Sequence, residues 1–176
     1  MNIREISKEG KKLSIKKDNA WFMVMVGDSD ADVESLSGDL TSAVDIHMQY
    51  TKSVLIEGSA HADIVLRCVK CLRSFHKIVD TTFSVELEPY DESAPARHAV
   101  AKTELDAEFY VNDEFDPEAV VFEQIMLNLP LYPLCNPACK GLCTYCGVNL
   151  NENPEHTCTK DKGISPFKSQ LGKIKI

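Results

Sequence analysis

Three long stretches of the chain alternate between apolar and polar residues at every second position. They run from Leu40 to Tyr50, from Val54 to Leu66 and from Arg73 to Leu87. This alternation is typical of strands that place one face against a core and the other in water. Gly58 interrupts the second stretch and indicates a bulge or a bend there. A fourth strand of the same kind is predicted from the apolar positions Leu105, Ala107, Phe109 and Val111.

A helix is predicted over residues 116–129. Asp116 is a favoured N-cap, Pro117 suits the first helical position, and Glu118 adds an acidic group to the first turn. The helix should end before Pro130. Its apolar side, which we expect to cover the open face of the sheet, consists of Val120, Val121, Ile125, Met126 and Leu129.

Weaker signals precede these elements. Leu13 and Ile15 alternate with polar neighbours and allow a short strand, and an apolar run from Trp21 to Val26 ends at Gly27. Long one-sided strands with short links predict an antiparallel meander, and because such strands twist and curl, a partly closed barrel is an alternative. The predicted fold class is therefore α+β and mainly β, with one covering helix and a Cys-rich zinc-binding appendage.

The chain divides into three parts on this interpretation. Residues 1–130 form the antiparallel β domain with its helix, residues 131–160 form the Cys-rich segment, and residues 161–176 form a basic tail. The net charge of −8 is uneven, because residues 1–17 and residues 160–176 each carry +4. Basic ends attract a polyanion that the acidic middle repels, although short lysine-rich ends are also common as solvated tails.

The length of 176 residues and the ordinary composition fit one domain, or one domain with a small appendage. The sequence shows no apolar run as long as a membrane span, and its first residues lack the apolar core of a signal peptide. We therefore expect a cytoplasmic protein with no membrane partner. In a reducing compartment, cysteines act more often as metal ligands or redox groups than as structural disulfides.

Seven cysteines dominate the candidate chemistry. Cys68 and Cys71 form one C-x-x-C pair, and a second pair is followed directly by Gly147, which accepts the positive φ of a tight turn. Two such pairs in one chain indicate a Zn²⁺ site. The candidate metal ligands are Cys68, Cys71, Cys135, Cys139, Cys143, Cys146 and Cys158.

Three arrangements of these ligands fit the spacing. Cys135, Cys139, Cys143 and Cys146 make a local four-thiolate site in the first. The upstream pair joins a downstream pair in the second, which would tie distant segments together and has the stronger physical motive. All seven thiols and His156 make two sites in the third.

Signs of catalysis are weak. The polar faces of the predicted strands carry His47, His61 and His76, and an acid–base cluster would add Asp45, Glu57 and Asp63. Polar strand faces commonly carry such residues without a function. The sequence has no nucleophile elbow, P-loop, dinucleotide fingerprint or H-E-x-x-H motif, and no small-molecule substrate is predicted. Neither C-x-x-C pair begins a helix of a βαβ pattern, as a thioredoxin-like site would require.

Several motifs together resemble the YceD family of small bacterial and plastid proteins. They are RCVKCL at 67–72, EQIMLNLP at 123–130, PLC at 133–135, CKGLCTYCGVNLN at 139–151, and Ser165-Pro166-Phe167 with Leu171. The resemblance extends from about Val54 to Leu171. The chain departs from the family pattern at Thr144, where a proline is common, and this change should only loosen the turn.

The resemblance implies a non-enzymatic factor in 23S rRNA processing or accumulation, or in assembly of the large ribosomal subunit. It implies ribosomal RNA or a large-subunit ribosomal protein or precursor as partner, and no agreed enzymatic activity. Contacts with RNA phosphates would come from Lys11, Lys12, Lys16, Lys17, Lys168, Lys173 and Lys175. Two alternatives stay open: a nuclease or thiol oxidoreductase acting in rRNA maturation, and a structural zinc protein with an unrelated partner.

Overall fold

A computed structural model describes residues 1–27, 32–49, 52–90 and 108–158. Six strands form one sheet: β1 (Lys11–Lys17), β2 (Val33–Leu36), β3 (Leu40–Met48), β4 (Val54–Arg67), β5 (Ser74–Pro89) and β6 (Glu108–Tyr110). Two α-helices, α1 (Asn19–Val26) and α2 (Pro117–Leu127), and a short 3₁₀ helix (Ile3–Glu5) accompany it. The predicted basic tail, with Lys168, Lys173 and Lys175, lies outside the described residues.

The sheet is open. Its strand order is β1-β3-β4-β5-β6, and β2 pairs with β4 near the end of that strand. Within the described part of the chain, no pairing joins β1 to β6, so the expectation of a partly closed barrel is wrong. Strands β3, β4 and β5 are consecutive antiparallel neighbours, whereas β6 runs parallel to β5. The sheet as a whole is therefore mixed rather than a simple meander.

The three predicted long strands are present with the predicted inward face. In β3 and β4 the even-numbered apolar residues are buried, apart from Met48 at the end of β3, which is 39% exposed, and in β5 the buried residues are Val79, Val85 and Leu87. Pairing continues without a break through Gly58, so no bulge lies there. Glycine is needed for another reason: an added Cβ would lie 2.6 Å from the Ala43 carbonyl oxygen.

Two helices cover the sheet where one was expected. The apolar run from Trp21 to Val26 belongs to α1, whose N-cap Asp18 accepts a hydrogen bond from the Trp21 N–H. Helix α2 begins where the caps predict, because the Asp116 carboxylate accepts from the Glu118 N–H. It ends two residues earlier than predicted. The helices meet through Phe22 and Phe122, whose ring centroids lie 5.5 Å apart.

The predicted polarity of the fourth strand is wrong in the described part of it. Phe109 and Val111 are exposed, whereas Tyr110 is buried. The Tyr110 ring packs near Phe115, and its hydroxyl donates to the Lys52 carbonyl oxygen at 2.8 Å. Because its hydroxyl has a hydrogen-bond partner, burial of the Tyr110 ring is favourable. Tyr110 therefore takes the inward position, although its neighbours Phe109 and Val111 are more apolar.

Candidate metal centres

The first cysteine pair lies in the link between β4 and β5, as the sequence predicts. The Leu72 N–H donates to the Cys68 carbonyl oxygen at 2.8 Å, and the Cys68 N–H donates to the Arg73 carbonyl oxygen at 3.0 Å. Leu72 takes a positive φ of 58° to close this turn. The turn brings Cys68 and Cys71 to the same side of the link, and both are buried.

The segment 133–142 packs against this link through backbone contacts. The Val69 N–H donates to the Pro133 carbonyl oxygen at 3.0 Å, and the Leu142 N–H donates to the Lys70 carbonyl oxygen at 3.1 Å. Gly141 makes the second contact possible, because its φ is 75° and an added Cβ would lie 3.0 Å from the same oxygen. These contacts bring Cys135 and Cys139, which belong to this segment, close to Cys68 and Cys71.

Four thiols converge at this junction, and we call them the four-cysteine site: Cys68, Cys71, Cys135 and Cys139. The Sγ atoms of Cys68 and Cys139 lie 3.8 Å apart, and those of Cys71 and Cys135 lie 3.5 Å apart. Four thiolates about 2.3 Å from a tetrahedral Zn²⁺ lie about 3.8 Å from one another. The spacing therefore suits a tetrahedral metal ion.

The electrostatics of the four-cysteine site also suit a cation. Burial opposes ionisation of Cys68, but backbone N–H groups of neighbouring residues outweigh it and lower the pKa of this thiol to about 6. Burial and the adjacent thiols raise the pKa of Cys71 to about 12. The Cys68 thiolate thus forms readily while Cys71 resists a second negative charge beside it, and a divalent cation would remove that conflict.

Two polar side chains outside the ligand set contact these sulfurs. The Asn151 amide donates to the Cys139 Sγ at 3.3 Å, and the Arg73 guanidinium lies 3.8 Å from the Cys135 Sγ. Such partners orient ligands and stabilise thiolates. Sequence reasoning did not assign either residue, although Arg73 follows the first pair by two positions and Asn151 closes the second cysteine motif.

The other three thiols form a second cluster with a histidine. We call it the Cys₃His site: Cys143, Cys146, His156 and Cys158, whose ligand atoms all lie within 4.8 Å of one another. The Cys146 Sγ and His156 Nε2 atoms are 3.2 Å apart. Backbone N–H groups of Tyr145 and Cys146 lower the pKa of Cys143 to about 6.

This geometry distinguishes among the three arrangements. The purely local site is not formed, because Cys135 and Cys139 face the β4–β5 link and not the later pair. In the observed grouping the upstream pair joins Cys135 and Cys139, as in the second arrangement. The remaining three thiols join His156, so that all eight candidate ligands form two groups, as in the third. Each group could hold a metal ion, and four protein ligands in either would leave no coordination position open for a substrate.

The four lysines of β1 that were predicted to contact RNA all pair with carboxylates. Lys11 contacts Glu5, Lys12 contacts Asp45, Lys16 contacts Asp39, and Lys17 contacts Glu118. Lys12 and Lys16 remain 85% and 69% exposed. Exposed ion pairs are weak and exchange readily with other anions, so the pairs lower the local positive charge without excluding a phosphate contact.

The histidines lie apart from the metal groups. His61 pairs with Asp80 at 2.6 Å, and His76 pairs with Asp63 at 3.1 Å. Both pairs lie on exposed strand surface. The sequence did not single out Asp80, because its position opposite His61 depends on the β4–β5 register. His47 instead lies against Gly10, where an added Cβ would come within 2.5 Å of its ring.

In the described ranges no helix is long and apolar enough to cross a bilayer, and α1 and α2 are both too short. A search of solved structures found no match to the chain.

Comparison with protein families gives a match over residues 56–175 to the family model described as large ribosomal RNA subunit accumulation protein YceD. An uncharacterized protein of Mycobacterium leprae is 35% identical over 107 residues, which cover 60% of this chain and 47% of that protein. One from Mycobacterium tuberculosis is 36% identical, with coverage of 60% and 49%. The chain therefore spans about half the length of these relatives.

A plant relative matches over a shorter region. The maize protein named large ribosomal RNA subunit accumulation protein YCED homolog 1, chloroplastic, is 42% identical over 57 residues, which cover 31% of this chain and 20% of that protein.

Proposed function

This chain belongs to the YceD family, and from that membership we propose that it is a non-enzymatic factor in 23S rRNA processing or accumulation, or in assembly of the large ribosomal subunit. The observation that carries the proposal is the family match, which covers both C-x-x-C pairs and helix α2. The name of the maize relative supports the same process.

The four-cysteine site has a structural role in this proposal, with Zn²⁺ as its metal. Thiolates in a tetrahedral set favour zinc over harder cations such as Mg²⁺. The ion would join the end of the long β4–β5 hairpin to the segment that follows α2. The apolar cluster at this junction is small. Its buried members are Cys68, Cys71 and Cys139, and Phe75, Leu134 and Leu142 are partly buried around them. So small an apolar contact needs a covalent or metal link to hold it.

The absence of an enzymatic role is proposed on the chemistry of both metal groups. A closed set of four ligands cannot activate a water molecule or polarise a substrate, since both tasks need a free coordination position. Ligated thiolates are likewise unavailable for disulfide exchange. Among the alternative functions, a nuclease is the one that a specific observation favours. The His61–Asp80 and His76–Asp63 pairs are arranged as acid–base groups can be.

Charge favours a basic ribosomal protein over naked RNA as the direct partner. Residues 108–158 carry eight acidic side chains and one lysine, a net charge of −7. Bound zinc would leave the four-cysteine site, with four thiolates and one Zn²⁺, with a further net charge of −2. An RNA backbone is repelled by such a surface, whereas the lysine- and arginine-rich surface of a ribosomal protein is attracted.

Depletion of the protein in its own organism tests the proposed process. The ratio of 23S to 16S rRNA should fall and precursors of the large subunit should accumulate in a sucrose gradient. The wild-type gene should restore the ratio, and so should His61→Ala with His76→Ala. Restoration by wild type but not by the folded histidine variant would establish the nuclease instead. An unchanged ratio after depletion would refute the rRNA role and leave a structural zinc protein with an unrelated partner.

The direct partner is tested with the purified chain. Binding to large-subunit ribosomal proteins should exceed binding to 23S rRNA fragments and should weaken as salt rises. Lys12→Ala with Lys16→Ala, compared with Lys77→Ala on β5 as a control, reports on the β1 lysines. Tight RNA binding that these two substitutions abolish, and the control does not, would reverse the choice of partner.

A further inference from the structure

The last described segment, residues 142–158, is folded without a core of its own. None of its 17 residues is buried, and Tyr145, its one aromatic residue, is 49% exposed. A segment with no buried apolar side chain cannot offset the entropy of ordering its backbone by hydrophobic burial. Something other than packing must hold it.

Its backbone nevertheless forms a defined pair of turns. The Gly147 N–H donates to the Cys143 carbonyl oxygen and the Cys143 N–H donates to the Val148 carbonyl oxygen, both at 2.8 Å. Gly147 takes a φ of 77°, which closes the turn between Cys143 and Cys146. The result is a tight loop with two thiols aimed to one side, the form in which C-x-x-C-G pairs hold a metal.

A second set of turns returns the chain to these thiols. The Asn153 N–H donates to the Asn149 carbonyl oxygen, and the His156 N–H donates to the Asn153 carbonyl oxygen, each at 3.1 Å. These turns place the His156 Nε2 atom 3.2 Å from the Cys146 Sγ atom. A sulfur and an imidazole nitrogen bound to one tetrahedral Zn²⁺ lie about 3.5 Å apart, given bond lengths of about 2.3 and 2.0 Å.

We propose that residues Cys143, Cys146, His156 and Cys158 bind a second Zn²⁺ ion, separate from the four-cysteine site, and that this ion takes the place of a hydrophobic core for residues 142–158. Three thiolates and one imidazole form a complete tetrahedral set, and no residue is shared between the two sites. The chain therefore carries two zinc ions that bind with different donor sets. This inference does not depend on the proposed role in rRNA accumulation.

Two other uses of the cluster are less consistent with the geometry. A disulfide between two of the thiols would leave the third and His156 converging without a purpose. A Cys146–His156 nucleophile pair needs only two groups, whereas four donors lie within 4.8 Å of one another. Convergence of all four is what a metal requires and what the other two uses do not.

Metal counting on the full chain tests the proposal. The wild-type protein, equilibrated with a competing chelator, should hold two zinc ions, and His156→Ala should hold one. His61→Ala is the matched control and should keep two. His156→Cys, which restores a fourth ligand, should also keep two. One zinc in the wild type, or two in His156→Ala under the same competition, would overturn the assignment.

Cobalt replaces zinc as a probe of the donor set. The thiolate-to-cobalt absorption should fall from the level of seven thiolates in the wild type to that of four in Cys143→Ser with Cys146→Ser. His156→Cys should shift the ligand-field bands towards those of a four-thiolate site. An unchanged spectrum in both variants would refute the Cys₃His site, even if those variants fold normally.

Alkylation separates the metal site from the nucleophile pair. Iodoacetamide should leave Cys143, Cys146 and Cys158 unmodified while zinc is bound, and should modify all three after zinc is chelated. Rapid modification of Cys146 alone in the zinc-loaded protein would establish the nucleophile pair and overturn the proposal.

Discussion

Gly141→Ala should weaken zinc binding at the four-cysteine site, because this glycine sits at the contact between the two segments that share it. Its φ of 75° costs an alanine about 1–2 kcal/mol. The new Cβ would lie 3.0 Å from the Lys70 carbonyl oxygen, and that oxygen is fixed by the Leu142 N–H. Displacing it costs about 1 kcal/mol more.

The whole cost of about 2–3 kcal/mol should appear in zinc affinity. Without metal, the segment 133–142 can separate from the β4–β5 link and relieve the strain, whereas the zinc-bound state cannot. At about 1.4 kcal/mol per tenfold change, the affinity should fall by about 30- to 150-fold. Competition with a chromophoric chelator measures it, in a Cys143→Ser and Cys146→Ser background so that only the four-cysteine site is read.

Gly147→Ala in the same background is the matched control. Gly147 has a similar φ of 77°, but an added Cβ there meets nothing within 4 Å. Affinity at the four-cysteine site should stay within about threefold of the parent. Gly141→Asn separates the two costs, because asparagine tolerates a positive φ but still crowds Lys70. If Gly141→Ala binds zinc as tightly as Gly147→Ala, the crowding argument is wrong.

Three further substitutions test the body of the fold by urea unfolding. Asp116→Ala removes the N-cap that accepts from the Glu118 N–H and should lower the free energy of unfolding by about 1 kcal/mol, with an unchanged m-value. Tyr110→Phe removes the hydrogen bond to the Lys52 carbonyl oxygen and should cost about 1–2 kcal/mol; no loss would mean that water replaces the hydroxyl. Burial, and a nearby carboxylate on α2, raise the pKa of Glu108 above the usual value for a glutamate. The folded state then binds more protons than the unfolded state, so the free energy of unfolding should fall as pH rises through the acidic range. Glu108→Gln should flatten that fall and stabilise the protein at pH 7. A steeper fall in the variant would contradict the direction of the pKa shift.

The long strands and α2 could be predicted because local rules act on them without competition. Alternation in β3–β5 follows from one face being buried, and the start of α2 follows from Asp116 and Pro117. Helix α1 escaped prediction because its run of apolar residues carries no clear period, and its N-cap Asp18 stands before a stretch that reads equally well as a strand. The polarity of β6 depends on a hydroxyl partner 58 residues away, which no local pattern contains.

The cysteines show the same division. Spacing predicted them as metal ligands, since C-x-x-C pairs are a local property, and the structure brings all seven into two groups that could hold a metal ion. Their distribution between two groups depends on backbone contacts between residues far apart in sequence, such as Val69 with Pro133 and Leu142 with Lys70. Sequence left three arrangements open because it contains no information on which surface of the sheet the later segment reaches.

The distance along the chain between the ligands of the four-cysteine site has a consequence for synthesis. Cys68 precedes Cys139 by 71 residues. At about 5–20 residues per second, the first pair leaves the ribosome about 4–14 s before its last partner. During that interval two thiols at the tip of a completed hairpin are open to oxidation or to capture of a metal in a half-formed site. Correct maturation of this protein should therefore depend on the redox state and the zinc supply of the compartment in which it is translated.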